Sequence, residues 1–307
     1  MRILFAGSGE FGLPTLRGIL ERREHEIALV ISQPDRPAGR GRHLTPTPIS
    51  KIALEQNLPL LRTANLNAQT LPPADLLVVI AFGQKIAPQQ VNHCRLTSIN
   101  LHGSRLPQFR GAAPINAAII AGERIAGNSI IRLAERMDAG AILGQSAVPI
   151  GELETAGELH DRLAIAGGGL MLDVIGRLER GDATETPQDE SRASHAPKMS
   201  RDAAKIDWSG SATRIANQIR GMYPWPGCHA RLVDDSGRER TRLTLVRARA
   251  AAGGAAPPGT ILPSGAVAAG GGAVEIVELQ PEGKRPMPLE AFRNGHLWLA
   301  GMRLEST

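Results

Sequence analysis

Cysteine is nearly absent from the chain: Cys94 and Cys228 are the only two among 307 residues. So few thiols, so far apart, form neither a disulfide framework nor a metal motif, and they suit a reducing compartment. Aromatic residues are also scarce, with five Phe, three Trp and one Tyr, or 3% of the chain. Cores must therefore pack from Ala, Leu, Ile and Val, and rows of aromatic platforms that stack on single-stranded nucleic acid are not expected. No apolar run approaches the length of a membrane helix, and the opening MRILFAGSGEFG is too short in its apolar part for a signal peptide. These absences lead to the expectation of a soluble cytoplasmic protein with no membrane partner.

What is present is a chain that is 42% apolar and long enough for two domains. Lys and Arg number 35 against 30 Asp and Glu, a net charge of +5, and the isoelectric point is about 9.7. That balance is compatible with a polyanionic partner but does not by itself select one. The first half alternates short apolar runs, at 2–6, 26–32, 59–62, 75–82, 98–100 and 129–134, with amphipathic stretches beginning at Pro14 and Ala112. This pattern predicts an α/β fold, a mostly parallel sheet flanked by helices. Thr155 and Glu158 have the spacing of a capping box, and an apolar-periodic segment follows to about Arg180, which predicts a long helix. Residues 181–208 are polar and aperiodic, as in a linker, with a domain boundary near 205. Beyond it, period-two runs at 240–250 and 272–281 predict a small β-barrel or sandwich. The Gly- and Ala-rich stretch at 250–259 between them reads as a loop.

Gly7, Gly9 and Gly12 follow a predicted strand and open a helix, as in a dinucleotide-binding fingerprint. The acid expected about 20 residues later is missing, because positions 30–32 are Val, Ile and Ser. A tight strand-to-helix turn is the preferred reading, and an NADP site using Arg36 stays open. The stretch SINLHGSRLPQFRGAAPI, residues 98–115, carries more chemistry. Asn100 and His102 lie two apart at a strand end and therefore share a face, so an amide and an imidazole are set to hold an oxyanion and move a proton. Gly103 and Pro107 then force a loop, which leaves backbone N–H groups free for a ligand. Asp138, after another predicted strand, supplies a carboxylate able to orient the imidazole.

Asn100, His102, Ser104, Leu106, Pro107, Arg110 and GAAPI at 111–115 resemble the formyltransferases that use 10-formyltetrahydrofolate, and among them those that act on methionyl-tRNA. FAGSGEF near the start, QPDRPAGRG at 33–41, KIDW at 205–208 and YPWPG at 223–227 extend the resemblance over most of the chain. It implies a doubly wound catalytic domain at 1–185, a linker at 186–206 and a tRNA-binding barrel resembling an OB-fold at 207–307. It further implies transfer of a formyl group from 10-formyltetrahydrofolate to the α-amino group of methionyl initiator tRNA, with neither metal nor nicotinamide. Asn100, His102 and Asp138 correspond to the catalytic set, and Ser104, Arg105, Leu106 and Pro107 to the loop lining the folate site. A monomer is expected.

The 33–48 segment carries Arg36, Arg40 and Arg42, with prolines and glycines that exclude helix. By itself it reads as a solvated loop; the resemblance implies that its arginines contact tRNA. In the C-terminal part, Arg238, Arg240, Arg242, Arg247 and Arg249 cluster on one predicted hairpin, where they either track phosphates or guard a solvated strand. The chain departs from the family at several positions. Arg105 stands where Leu is usual, Leu133 to Arg136 replace an earlier acidic motif, Ala139 follows the aspartate in place of Thr, Gly9 replaces Pro, and His195 replaces an aromatic residue. None of these removes Asn100, His102 or Asp138.

Overall fold

The computed structural model describes every residue except Gly39, Arg40 and Arg42. The chain forms two compact units, one of residues 1–111, 127–148 and 160–195, the other of 112–126, 149–159 and 196–307.

The first unit is built on seven strands: β1 (Arg2–Gly7), β2 (Glu26–Ser32), β3 (Leu60–Arg62), β4 (Leu76–Ile80), β5 (Thr97–His102), β6 (Ser129–Arg132) and β7 (Ile142–Gln145). Their spatial order is β7-β6-β5-β4-β1-β2-β3. The five strands β3 to β5 in this order run parallel, and β6 and β7 complete the sheet antiparallel. Such an order has its topological switch at the carboxyl ends of β1 and β4, where open α/β sheets bind ligands. The six apolar runs read from the sequence coincide with β1 to β6, and β7 lies outside them. The parallel ones are apolar on successive residues because both faces are covered. Leu4, Ala6, Leu77 and Val79 face a cluster with Leu66, Leu71, Phe82 and Cys94.

Helix α1 (Leu13–Arg22) has Pro14 in its first turn, and helix α2 (Pro48–Glu55) is capped by Thr47, whose hydroxyl accepts from the Ser50 N–H at 3.1 Å. That second helix lies outside the helical stretches expected, although Thr-Pro at its start is a helix-opening signal. Gly7 is required by packing: a Cβ there would lie 3.0 Å from the Ile80 carbonyl oxygen and 3.0 Å from the Phe5 ring. Gly9 has φ −81° and Gly12 φ −84°. The glycine-rich turn therefore serves close strand-to-helix approach, as preferred from the sequence.

The second unit contains helix α3 (Pro114–Ala121), the start of helix α4 (Ala156–Arg180), helix α5 (Ala212–Met222), and strands β8 (Cys228–Val233), β9 (Glu239–Ala251), β10 (Val267–Ala268), β11 (Ala273–Pro281) and β12 (Arg303–Ser306). The capping box forms as expected: Thr155 N–H donates to Glu158 at 3.0 Å, and Glu158 N–H donates to the Thr155 hydroxyl at 3.4 Å. The strands pair in the order β10-β11-β9-β8-β12. Residues 259–262 close the ring: Leu304 N–H donates to Gly259 O on one side, and Ala268 N–H to Thr260 O on the other, both at 2.8 Å. The result is an antiparallel barrel. Its core joins Leu232, Leu245, Val274 and Leu279 to Ile215 and Ile219 of α5 and to Trp208. Helix α5 was not expected from the period-two reading. Its apolar positions 215, 216, 219 and 222 have helical spacing, and Ser211 caps it by accepting from Arg214 N–H.

Candidate active site

Strand β5 ends at the site. Val79 of β4 pairs with Asn100, so Asn100 and His102 project to the face shared by Leu4, Ala6 and Val79. Ser129 of the antiparallel β6 lies opposite His102. Asn100 is half-buried, and its side-chain amide makes no hydrogen bond to any described residue, so its donors and acceptor are available. His102 is 6% exposed. Its Nε2 lies 2.9 Å from the Phe109 carbonyl oxygen. A carbonyl only accepts, so Nε2 carries the hydrogen and donates, which leaves the lone pair of the neutral ring on Nδ1. Nδ1 faces Asp138 Oδ2 at 3.7 Å, beyond hydrogen-bond reach and within range of a strong charge interaction.

Asp138 accepts the Gly111 N–H at 2.8 Å through the same Oδ2. It adopts φ +54° and Phe109 adopts φ +58°. Both are non-glycine residues in the left-handed region, a conformation that persists where neighbouring contacts enforce it. The two acceptors facing His102 thus both belong to constrained backbone.

The loop after β5 is pinned by hydroxyls and an amide. The Ser129 hydroxyl donates to Ser104 O at 2.7 Å and accepts the Leu106 N–H at 3.0 Å. Gln145 Nε2 donates to Leu106 O at 2.8 Å, and the Ser104 hydroxyl donates to Gln108 O at 2.6 Å. Ser104, Leu106 and Pro107 are buried, whereas Arg105 is exposed and pairs with no carboxylate among the described residues. Arg110 is 7% exposed and grips Glu190 at 2.8 Å. That guanidinium, with Arg136 assisting, holds the Glu190 carboxyl down to about 2.

Of the three arginines expected in the 33–48 segment, Arg40 and Arg42 lie outside the described residues. Arg36 is exposed and lines a surface cleft of about 530 Å³ with Arg17, Lys51, Glu10 and Glu55. The arginines of the barrel hairpin are different. Arg240 pairs with Asp234, Arg242 with Glu239, and Arg249 with Glu275, while Arg247 is shared by Glu158 and Glu278, each at 2.6 Å. Strand β9 also lies between β8 and β11 rather than at an edge. Four of the five cations read on the hairpin are thus already paired with carboxylates within the unit, and Arg238 has no ion pair among the described residues. No group of three or more His, Cys, Asp or Glu suited to a metal ion occurs among the described residues, and no helix there is long and apolar enough to cross a membrane.

Comparison with known proteins agrees with this architecture. A methionyl-tRNA formyltransferase of Methylococcus capsulatus is 39% identical over 315 residues, covering 99% of this chain and 99% of the relative. One from Phenylobacterium zucineum is 38% identical, covering 99% of this chain and 100% of its own. The crystal structure of the sugar 3N-formyl transferase WlaRD, obtained with dTDP and 5-N-formyl-THF, shares the fold at 18% identity, with a TM-score of 0.66, over 93% of this chain and 99% of that one. Residues 1–175 match the family described as Formyl transferase, and residues 198–297 match its C-terminal domain; the chain belongs to the formyl transferase family.

Proposed function

We propose that the chain transfers the formyl group of 10-formyltetrahydrofolate to the α-amino group of methionyl initiator tRNA. The observation that carries the reading is an uncommitted Asn100 amide beside an imidazole whose basic nitrogen faces a carboxylate, at the carboxyl end of a strand in a family of formyl transferases. The names of full-length relatives at 38–39% identity support the acceptor.

In the reaction the amine nitrogen attacks the formyl carbon, the carbonyl π pair moves to oxygen, and a tetrahedral intermediate forms. The Asn100 amide N–H donates to that oxyanion. The proton leaving the amine goes to Nδ1 of His102, since Nε2–H is committed to the Phe109 carbonyl. The resulting imidazolium is stabilised between that carbonyl and the Asp138 carboxylate. Collapse breaks the bond from the formyl carbon to N10, which takes the proton back from His102. The buried face of the loop from Ser104 through Leu106 to Pro107 lines the folate, and Arg105 presents its charge to solvent beside it.

The proposal divides the chain into a catalytic part at 1–185, a linker at 186–206 and a tRNA-binding barrel at 207–307, acting as a monomer in the cytoplasm. Arg36, Arg40 and Arg42 supply phosphate contacts, and Arg36 does so from the cleft that it lines. The test is formyl transfer to methionyl initiator tRNA beside methionyl elongator tRNA at one salt concentration. Product on the initiator alone is expected. No product on either, with 10-formyltetrahydrofolate binding intact, refutes the acceptor assignment.

A further inference from the structure

Residues 186–194 lie in the stretch that reads from sequence as a linker, yet they are docked along the first unit. Thr186 exchanges two backbone hydrogen bonds with Ile142 of β7, at 2.8 and 2.9 Å. At the other end, Ser194 O accepts the Arg110 N–H at 2.8 Å, and the Ser194 hydroxyl accepts the Phe109 N–H at 2.9 Å. Between these anchors Gln188 reaches to the turn that carries Asp138.

Every hydrogen-bonding position of the Gln188 amide is used. Nε2 donates to the carbonyl oxygens of Asp138 and Gly140, both at 2.8 Å. Oε1 accepts from Arg110 Nε at 3.0 Å and Nη2 at 2.7 Å. The partners fix the orientation of the amide, because two carbonyls can only accept and a guanidinium can only donate. Arg110 is in turn held by Glu190, which also takes Arg136. Gly140 lets the clamped turn lie on β6, since a Cβ there would fall 1.9 Å from Arg132 O.

We infer that Gln188 is a positioning residue for catalysis: by binding the Asp138 and Gly140 carbonyls it holds Asp138 at positive φ with its carboxylate aimed at His102 Nδ1. The inference rests on the roles given above to His102 and Asp138. Gln188 touches no reacting atom and acts through Asp138 alone. A glutamate of the same shape still accepts from Arg110 but cannot donate to either carbonyl. The variant Gln188→Glu therefore separates the clamp on the turn from the anchor on Arg110.

The test compares wild type, Gln188→Glu, Asp138→Asn and the double variant, each followed by formyl transfer and by thermal melting. Gln188→Glu is expected to lower kcat by roughly 10- to 100-fold, the usual scale for a group that orients a functional side chain, with KM for both substrates little changed and a cooperative melt kept. The double variant is expected to be no slower than Asp138→Asn, because the two substitutions interrupt one path. Unchanged kcat in Gln188→Glu, losses that multiply in the double variant, or activity lost only together with the cooperative melt would each overturn the inference. An arm free of turnover uses long-range ¹H–¹⁵N correlations of the His102 ring. Nε2–H is expected to stay on the Phe109 carbonyl in both proteins, while the Nδ1 resonance of the neutral ring shifts in Gln188→Glu because the carboxylate facing it has moved. An unchanged Nδ1 resonance overturns the clamp. Should the wild type formylate no methionyl-tRNA, the proposed function fails and the ring spectrum still decides the role of Gln188.

Discussion

Asp138→Asn removes one charge while leaving the local structure nearly intact. Asparagine accepts the left-handed backbone that Asp138 adopts, and its side-chain oxygen can still receive the Gly111 N–H. What disappears is the attraction between a carboxylate and a developing imidazolium 3.7 Å away, with both side chains largely buried. Two full charges at that separation attract by about 4 kcal/mol at an effective dielectric constant of about 20. Only about half of the positive charge resides on the ring at the transition state, which leaves about 2 kcal/mol, or roughly 30-fold in rate. The expected result is a kcat lowered by roughly 30- to 100-fold, with KM for methionyl-tRNA and for 10-formyltetrahydrofolate nearly unchanged, because the interaction is made in the transition state. The assay is steady-state formyl transfer under saturating folate, with a thermal melt as the control for folding. A kcat within about threefold of wild type would show that Asp138 does not stabilise the charge on His102, and the mechanism would need another partner for the proton.

Two further predictions concern stability and reactivity. Arg247 holds the Glu158 carboxyl down to about 2 from its ordinary 4.5, so the contact stabilises the fold above pH 4.5 and is lost as the pH falls from there towards 2. Glu158 is 48% exposed at its side chain, so solvent screening reduces the effect to about 1 kcal/mol. Urea melts of Glu158→Gln should show that deficit near neutral pH and close it in acid, and a deficit independent of pH would refute the linkage. Burial pushes the Cys94 thiol up to about 11 and the Cys228 thiol to about 12. In the native protein both should resist a disulfide reagent at mildly alkaline pH and react together in denaturant; rapid reaction of either thiol in the native state would contradict the packing.

Much of the fold is legible in the sequence because its signals are local. The buried parallel strands are short apolar runs, and the capping box at Thr155 and Glu158 lies within one turn. Asn100 and His102 share a face through strand parity alone, and Asp138 was found at the end of another run. What was not legible depends on residues far apart in the chain. Gln188 binds carbonyls some 50 positions away, and nothing in a polar, aperiodic segment announces that it will be docked. The pairing of Arg247 and Arg249 is hidden for the same reason, because their acids, Glu158, Glu278 and Glu275, lie elsewhere in the chain. Helix α5 is hidden by a different cause: its Ser211 cap and apolar spacing are outweighed by the period-two runs that follow.

The closure of the barrel by residues 259–262 bears on how this unit meets other molecules. A strand left at a sheet edge offers a row of unpaired N–H and C=O groups to any extended chain that approaches. Here β12 is bonded to β8 on one side and to the bridging segment on the other, and the same segment reaches β10. Strand addition along β12 is thereby blocked, and recognition at this side of the barrel proceeds through side chains and loop tips. A partner that has no peptide backbone to pair loses nothing by that, whereas a misfolded polypeptide finds little there on which to grow a sheet.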